Sequence, residues 1–300
     1  MVTEAGGCGA RRHGPRICLK RQRRGSVAIE ARQTPYAVGG RRPLPVHSGA
    51  VTVPATTVLV IPAYCESGRV GDVVRAVRRA MLGRMDLDIL VVDDGSPDGT
   101  AIEARAAGAR VLRHPFNLGY GCALHTGYCA AWRGGYDRVL QMDADGQHDP
   151  AMLHRLVAAL DGGCDIALGS RYLHAAPPRQ SLARRIGTRL FAWVASRWVG
   201  RPITDPTSGF QGLSRRALES VVNDGFPEDY PDTDVLVQHH RRGLKICEVP
   251  VVMHERVGGL SMHRGARIAY YGYKMLLTLL LMPIRRPTPL RTPDTVARTS

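Results

Sequence analysis

The sequence predicts an α/β protein with a mostly parallel sheet covered by helices on both faces. Between Thr57 and Gly169, short β-branched runs alternate with segments of helical periodicity, and the links between them are brief. The apolar runs are near-continuous rather than alternating, as strands buried on both faces require.

Order begins with Thr57-Val58-Leu59-Val60-Ile61, a strand that stops at Pro62. Val70, Val73, Val74 and Val77 recur at helical spacing while Arg75, Arg78 and Arg79 take the opposite face. Leu87 to Val92 forms the second strand and runs out into Asp93-Asp94-Gly95-Ser96. A helix over Asp98–Ala107, a strand over Ala109–Leu112 and a helix over Gly121–Arg133 follow. The run Val139-Leu140-Gln141-Met142 is another strand, ending in Asp143-Ala144-Asp145-Gly146-Gln147-His148. Asp149 and Pro150 open the helix Ala151–Leu160, as an N-cap and a first-turn proline do. Asp165–Gly169 is the next strand.

Beyond Ser170 the alternation changes. Arg179, Arg184, Arg185 and Arg189 lead into a helix carrying Leu190, Phe191, Trp193, Val194 and Trp198, followed by a loop over Thr204–Phe210 and a helix from Arg215. An acidic turn at Glu228-Asp229, a helix over Thr233–Arg242 closed by Gly243, and a strand over Leu244–Val252 complete this part. A polar loop spans Met253–His263. From Gly265 to Ile284, three tyrosines precede the run Met275–Met282, which is bounded by Pro283 and Arg285-Arg286. That run is too short to span a bilayer, but its aromatics and basic ends suit a membrane surface; packing on the domain or a partner is the other reading.

The formal charge is +15, and residues 1–50 hold ten Lys or Arg against Glu4 and Glu30 alone. More than half of the excess therefore lies in a Gly-, Pro- and Arg-rich stretch without periodicity. We read 1–56 as a disordered basic tail, either a functional arm or the product of a start assigned too far upstream. The basic start is not followed by an apolar stretch, so no signal peptide is expected. Seven cysteines without C-x-x-C or metal-finger spacing read as reduced thiols, mostly small core residues. His148, His239 and His240 lack ligand-like partners in the sequence and read as structural or exposed.

The chemistry gathers where strands end. In an open parallel sheet, ligands bind at the carboxyl edge, where helix amino termini also converge. Pro62-Ala63-Tyr64-Cys65-Glu66 supplies an aromatic ring and a carboxylate suited to a nucleobase. Asp93 and Asp94 can accept hydrogen bonds from base or ribose. Asp143 and Asp145 repel one another unless a hard cation, Mg2+ or Mn2+, sits between them and is shared with substrate phosphates. An Asp-rich turn is the plain alternative. Asn117-Leu118-Gly119-Tyr120-Gly121 opens a helix with glycines that allow close backbone approach. Base, ribose and metal-bound diphosphate in a row describe a nucleotide-diphosphate site. Neither G-x-G-x-x-G after the first strand nor a Walker motif is present.

VIPAYCE, VVDDGSPDGT, NLGYG, DADGQHDP, GSRY and TDPTSGF, in this order, resemble a family-two glycosyltransferase of GT-A fold, closest to the bacterial relatives of dolichyl-phosphate mannosyltransferase. The likeness spans about residues 57–284, with 57–263 as the transferase domain, 264–286 as an amphipathic helix and 287–300 as a disordered tail. By position, it implies that Pro62, Tyr64, Glu66, Asp93 and Asp94 meet the base and ribose, with Gly119 at the donor. Asp143, Asp145 and Gln147 would hold the metal and diphosphate. Arg171, Arg184 and Thr188 would meet an acceptor phosphate, and Arg256 and Ser261 would lie in a loop that closes over the phosphates. Many members carry Lys after that serine, whereas this chain has Met262.

The implied reaction is metal-dependent inverting transfer from a nucleotide-diphosphate sugar to a polyprenyl phosphate, or alternatively to a glycan hydroxyl in cell-envelope assembly. Asp145 and Arg171 are candidate catalytic residues. Asp234, or the nearby Asp232, would serve as base for a hydroxyl acceptor. The implied setting is the cytoplasmic face of the membrane, met peripherally and with a membrane surface or an integral membrane protein as partner. A sugar-nucleotide pyrophosphorylase would need a Gly-rich basic loop after the first strand, which is absent. A basic protein binding nucleic acid or membrane without catalysis would rest on the charge alone, and no nucleic-acid partner is expected.

Overall fold

The computed structural model describes residues 56–173, 182–223 and 233–254. The expected tails, the turn at Glu228-Asp229 and the apolar segment 264–286 lie outside them. Seven described strands, β1 (Thr57–Ala63), β2 (Leu87–Asp93), β3 (Arg110–Arg113), β4 (Arg138–Gln141), β5 (Ile166–Ser170), β6 (Gln211–Ser214) and β7 (Ile246–Pro250), form one sheet in the order β3-β2-β1-β4-β6-β5-β7. The described helices are α1 (Val70–Met81), α2 (Thr100–Ala106), α3 (Tyr120–Arg133), α4 (Leu153–Asp161), α5 (Leu182–Val199), α6 (Arg215–Asn223) and α7 (Thr233–Arg241). A short 3-10 turn at Pro150–Met152 precedes α4, and the Asp149 side chain accepts the Ala151 amide at 2.9 Å as the expected cap.

Alternation along the central strands divides the core into two layers. Val58, Val60, Leu90, Val92 and Val139 meet Ala123, Leu124, Tyr128 and Ala131 of α3 and the apolar sides of α5, α6 and α7. Leu59, Ile61, Ile89, Val91 and Leu140 meet the valines of α1 and Leu153, Leu156 and Leu160 of α4. The valine stripe of α1 is buried, and Arg75, Arg78 and Arg79 are exposed, as the spacing predicts.

Strand β6 is missing from the sequence reading, which left 211–214 between a loop and a helix. It is only four residues long, and its apolar character is confined to Leu213 and a glycine. It runs antiparallel between β4 and β5, with Gln211 opposite Gln141 on one side and Leu168 on the other. Because it is antiparallel, its entry point lies at the carboxyl edge of its neighbours. The loop Thr204–Phe210 is thereby delivered to that edge.

The cysteine reading needs correction. Cys164, just before β5, and Cys247, in β7, form a disulfide with Cα atoms 6.0 Å apart. Parallel pairing of β5 with β7, in which Ala167 lies beside Cys247, brings them within bridging range. No local spacing could reveal a pair 83 residues apart. Cys65 is exposed, and Cys122 and Cys129 are half-buried.

Two outcomes follow from this packing. A Cβ at Gly127 of α3 would lie 2.4 Å from Val60 Cγ1 in the core. Gly127→Ala should therefore lower stability by about 1–3 kcal/mol, read from the urea unfolding midpoint. His239 is buried, and burial, reinforced by Arg242, pushes its imidazole down to about 3. Its neutral form is favoured in the folded state, so stability is retained above the ordinary histidine pKa and lost as pH falls from about 6.5 toward 3, by up to about 1.4 kcal/mol per pH unit. His239→Asn should flatten that part of the stability profile, measured by urea titrations at pH 7 and pH 5.

Candidate active site

Parallel register sets the strand ends side by side. Ala63 pairs with Asp93, Val60 with Gln141, and the Met142 amide reaches the Val60 carbonyl at 3.2 Å. Tyr64, Asp94 and Asp143 thus emerge at one edge of the sheet.

Residues following β1 are stitched to those following β2. The amides of Cys65, Glu66 and Ser67 donate to Ser96 Oγ (3.0 Å), Thr100 Oγ1 (2.9 Å) and Asp98 Oδ2 (3.3 Å). Glu103 of α2 accepts the amides of Gly68 (2.5 Å) and Gly71 (3.0 Å) at the start of α1. Backbone donors that would otherwise need water are paired, so the two loops form one wall. Cys65 holds a left-handed backbone at φ 54° within it. The Tyr64 ring is 47% exposed above the wall, while Pro62 is buried within β1. Glu66 is committed in part to an ion pair with Arg69 at 2.6 Å.

Both aspartates at the end of β2 are buried. Asp93 accepts the Ser96 amide (3.1 Å) and pairs with Arg113 Nε (3.1 Å). Asp94 accepts the amides of Leu118 and Gly119, one on each oxygen, both at 2.9 Å, and His114 Nδ1 lies 2.7 Å from its Oδ1. His114 Nε2 meets Thr126 Oγ1 at 2.9 Å. Gly119 precedes α3 with φ 103°, a conformation that favours glycine.

The carboxylates after β4 differ in setting. Tyr120 donates to Asp143 Oδ1 at 2.9 Å, and His148 Nε2 lies 3.2 Å from Oδ2. The His148 ring stacks on Phe210 with centroids 5.1 Å apart. Burial opposes ionisation of Asp143, but these bonds from His148 and Tyr120, with the charge of Arg171, outweigh it and hold the carboxyl below its ordinary range. Asp145 accepts the Gln147 amide at 3.0 Å across a turn in which Gly146 has φ 78°. Gln147 faces His254 and receives its amide at 2.7 Å.

Arg171 follows β5, and its Nε and one terminal nitrogen donate to Asp205 Oδ2 (2.6 Å) and Oδ1 (2.8 Å). Asp205 is fully buried and lies on the loop that precedes β6. Glu248 of β7 fixes that loop by accepting the amides of Thr204 and Asp205, each within 2.9 Å. Burial raises the Glu248 carboxyl pKa against those bonds. Arg171 and Asp143 lie within electrostatic reach of one another.

Among the described residues, no three or more Asp, Glu, His or Cys side chains converge on a metal-binding geometry. The donors present are the oxygens of Asp143, Asp145 and Gln147, a hard set that fits Mg2+ or Mn2+ keeping part of its water shell. Gly209 approaches the Asp143 carboxylate closely, since a Cβ there would lie 2.7 Å from Asp143 Oδ2 and would crowd it.

Asp234 is buried in the first turn of α7, and Thr188 is half-buried on α5. Arg256, Ser261, Met262, Asp232 and the side chain of Arg184 lie outside the described residues. His148 is a correction to the sequence reading: it has a partner, and that partner is Asp143. Tyr120, His114, Asp205 and Glu248 were also missed. Gln141, a lone amide in an otherwise apolar run, and Tyr120, within the NLGYG stretch, carried signals that could have drawn attention to the polar contacts behind Asp143.

A sheet whose carboxyl edge combines an exposed aromatic wall, paired carboxylates and a buried arginine defines an α/β transferase of GT-A type. The family model for glycosyl transferase family 2 matches residues 58–222, and the chain belongs to that family. It is 33% identical to polyprenol monophosphomannose synthase of Mycolicibacterium smegmatis, over 76% of this chain and 91% of that one. With undecaprenyl-phosphate mannosyltransferase of Micrococcus luteus it shares 31% identity, over 69% and 86% of the two chains. Among solved structures, glucosyl-3-phosphoglycerate synthase from Mycobacterium tuberculosis, in complex with Mn2+, uridine-diphosphate-glucose and glycerol 3-phosphate, has the same fold. It superposes with a TM-score of 0.60 at 24% identity, covering 82% of this chain and 92% of that one.

Asp205→Asn should leave Arg171 without its full countercharge. Because both groups are largely buried, we expect a loss of about 3 kcal/mol in unfolding free energy, measured by urea titration. Arg171→Lys, which cannot reproduce the two-pronged contact, should also be destabilised.

Proposed function

We propose that this glycosyltransferase moves a hexose from a nucleoside diphosphate to a polyprenyl phosphate, with inversion and with dependence on Mg2+ or Mn2+. The observation that carries the acceptor class is the likeness to polyprenol monophosphomannose synthase along 91% of its length. The oxygen donors after β4 support the metal, and the aromatic wall after β1 and β2 supports the nucleoside.

Tyr64 stacks on the base, and the fixed wall of Glu66, Asp93 and Asp94 shapes the ribose pocket around the Gly119 turn. Asp143, Asp145 and Gln147 would hold a divalent ion at the donor diphosphate, where it would offset the charge developing on the leaving group. Arg171, set in place by Asp205, presents positive charge to the acceptor phosphate, with Arg184, Thr188, Arg256 and Ser261 completing that side. A phosphate is ionised near neutral pH, so its oxygen attacks the anomeric carbon without a general base. Among the described residues no helix is long and apolar enough to cross a membrane. We place the enzyme at the cytoplasmic surface of the membrane, where the segment 264–286 or an integral membrane partner brings it to its lipid.

The test is donor turnover by purified protein with a panel of GDP-, UDP- and dTDP-sugars, with and without a short polyprenyl phosphate and divalent metal. We expect metal-dependent transfer to the lipid, reduced at least about 100-fold in Asp145→Ala, as loss of a group stabilising transition-state charge does. Nucleotide release without lipid glycosylation would transfer the assignment to a hydroxyl acceptor, with Asp234 as base. Absence of metal-dependent donor turnover would overturn the reading.

A further inference from the structure

Gln141 is the anomaly of the central sheet. It is 3% exposed, and its neighbours Val139, Leu140 and Met142 are all apolar. A buried amide is costly unless both ends are bonded, and an apolar residue of similar size would serve the packing as well. Its two ends are engaged by side chains of one helix. Tyr128 of α3 donates to Gln141 Oε1, and Gln141 Nε2 donates to the Tyr120 hydroxyl at 3.1 Å. Tyr120 in turn donates to Asp143 Oδ1 at 2.9 Å.

We propose that Tyr128, Gln141 and Tyr120 form a one-way hydrogen-bond chain that positions Asp143, so that the interface between α3 and β4 sets how firmly the site holds a divalent cation. The inference rests on the metal reading above and deepens it.

Direction is imposed link by link. Tyr128 is 2% exposed, and burial raises its phenol far above the ordinary value, so it keeps the proton it gives to Gln141 Oε1. The carboxylate oxygen of Asp143 only accepts, so Tyr120 donates to it and takes Gln141 Nε2 as its own donor, which turns the amide oxygen toward Tyr128. With that bond accepted, the Tyr120 hydroxyl directs its own proton to Asp143. Chains of this kind polarise cooperatively, and a carboxylate so bonded is fixed in both position and rotation. His148 holds Oδ2 from the other side. Asp143 is thereby oriented before any ligand arrives, and Tyr128, Gln141 and Tyr120 act through it as positioning residues.

The experiment titrates Mn2+ alone into the full-length protein and reads free Mn2+ by electron paramagnetic resonance, up to millimolar concentration. Tyr120→Phe should weaken binding by about 10-fold or more, as loss of a partner behind a metal ligand does. Gln141→Met should weaken it in the same direction, and the double variant should bind no more weakly than Tyr120→Phe, because both changes break one chain. Tyr128→Phe removes a single oxygen and repeats the test at the far end should Gln141→Met fail to fold. A merely structural role would lower the unfolding midpoint and leave the Mn2+ affinity unchanged, and that result would overturn the proposal. Full additivity of the two single effects would overturn it as well. If the wild-type protein binds no Mn2+, the metal reading falls and the proposal with it, whereas wild-type binding that Tyr120→Phe does not alter removes the chain alone.

Discussion

Asp94 ties the end of β2 and the start of α3 together. Its two oxygens take the amides of Leu118 and Gly119, and so the end of β2 is joined to the beginning of α3 by a carboxylate that is almost wholly buried. The start of α3 fixes Tyr120, and Tyr120 reaches Asp143. Orientation thus passes from the second strand to the fourth without crossing the first. His114 and Thr126 support Asp94 from behind, which makes the joint a small polar core of its own.

The surroundings of Arg171 are assembled by a parallel logic. Glu248 holds two successive amides, those amides belong to the loop carrying Asp205, and Asp205 grips Arg171 in two-pronged fashion. Arg171 is gripped by a second buried group whose loop is fixed by Glu248, and Asp94 is fixed directly by backbone amides. Polar side chains at this depth are tolerated because they are met by directional hydrogen bonds. The cost of desolvation is met within the fold, and little reorganisation is left for ligand binding.

Much of this was legible from the chain. Apolar runs and helical valine spacing placed β1, β2, β4, β5 and α1 within a residue or two, because burial on both faces leaves a plain periodic trace. The carboxylates stood out for the same reason, as abrupt charges at the ends of apolar runs. What was not legible depended on partners distant in sequence. The bond of His148 to Asp143 and the grip of Asp205 on Arg171 are products of tertiary approach, and no local pattern encodes them. Strand β6 escaped because a glycine and two polar residues give no strand signature, and its place is fixed by β4 and β5. The Cys164–Cys247 bridge escaped for the corresponding reason.

The antiparallel placement of β6 also bears on how the chain comes together during synthesis. Strands β1, β2 and β3 find all their sheet partners within the segment that ends with β4 at Gln141, and only the outer edge of β4 waits for β6. Strand β5 is complete at Ser170 yet has no neighbour until Gln211–Ser214 or Ile246–Pro250 is available. For at least 40 residues of elongation it is an apolar strand with two open edges, roughly two to eight seconds at bacterial or eukaryotic rates. The half of the sheet built on β5 is therefore the last to find its strand partners, and α5, made in that interval, packs in the same core cluster as Ile166 and Leu168.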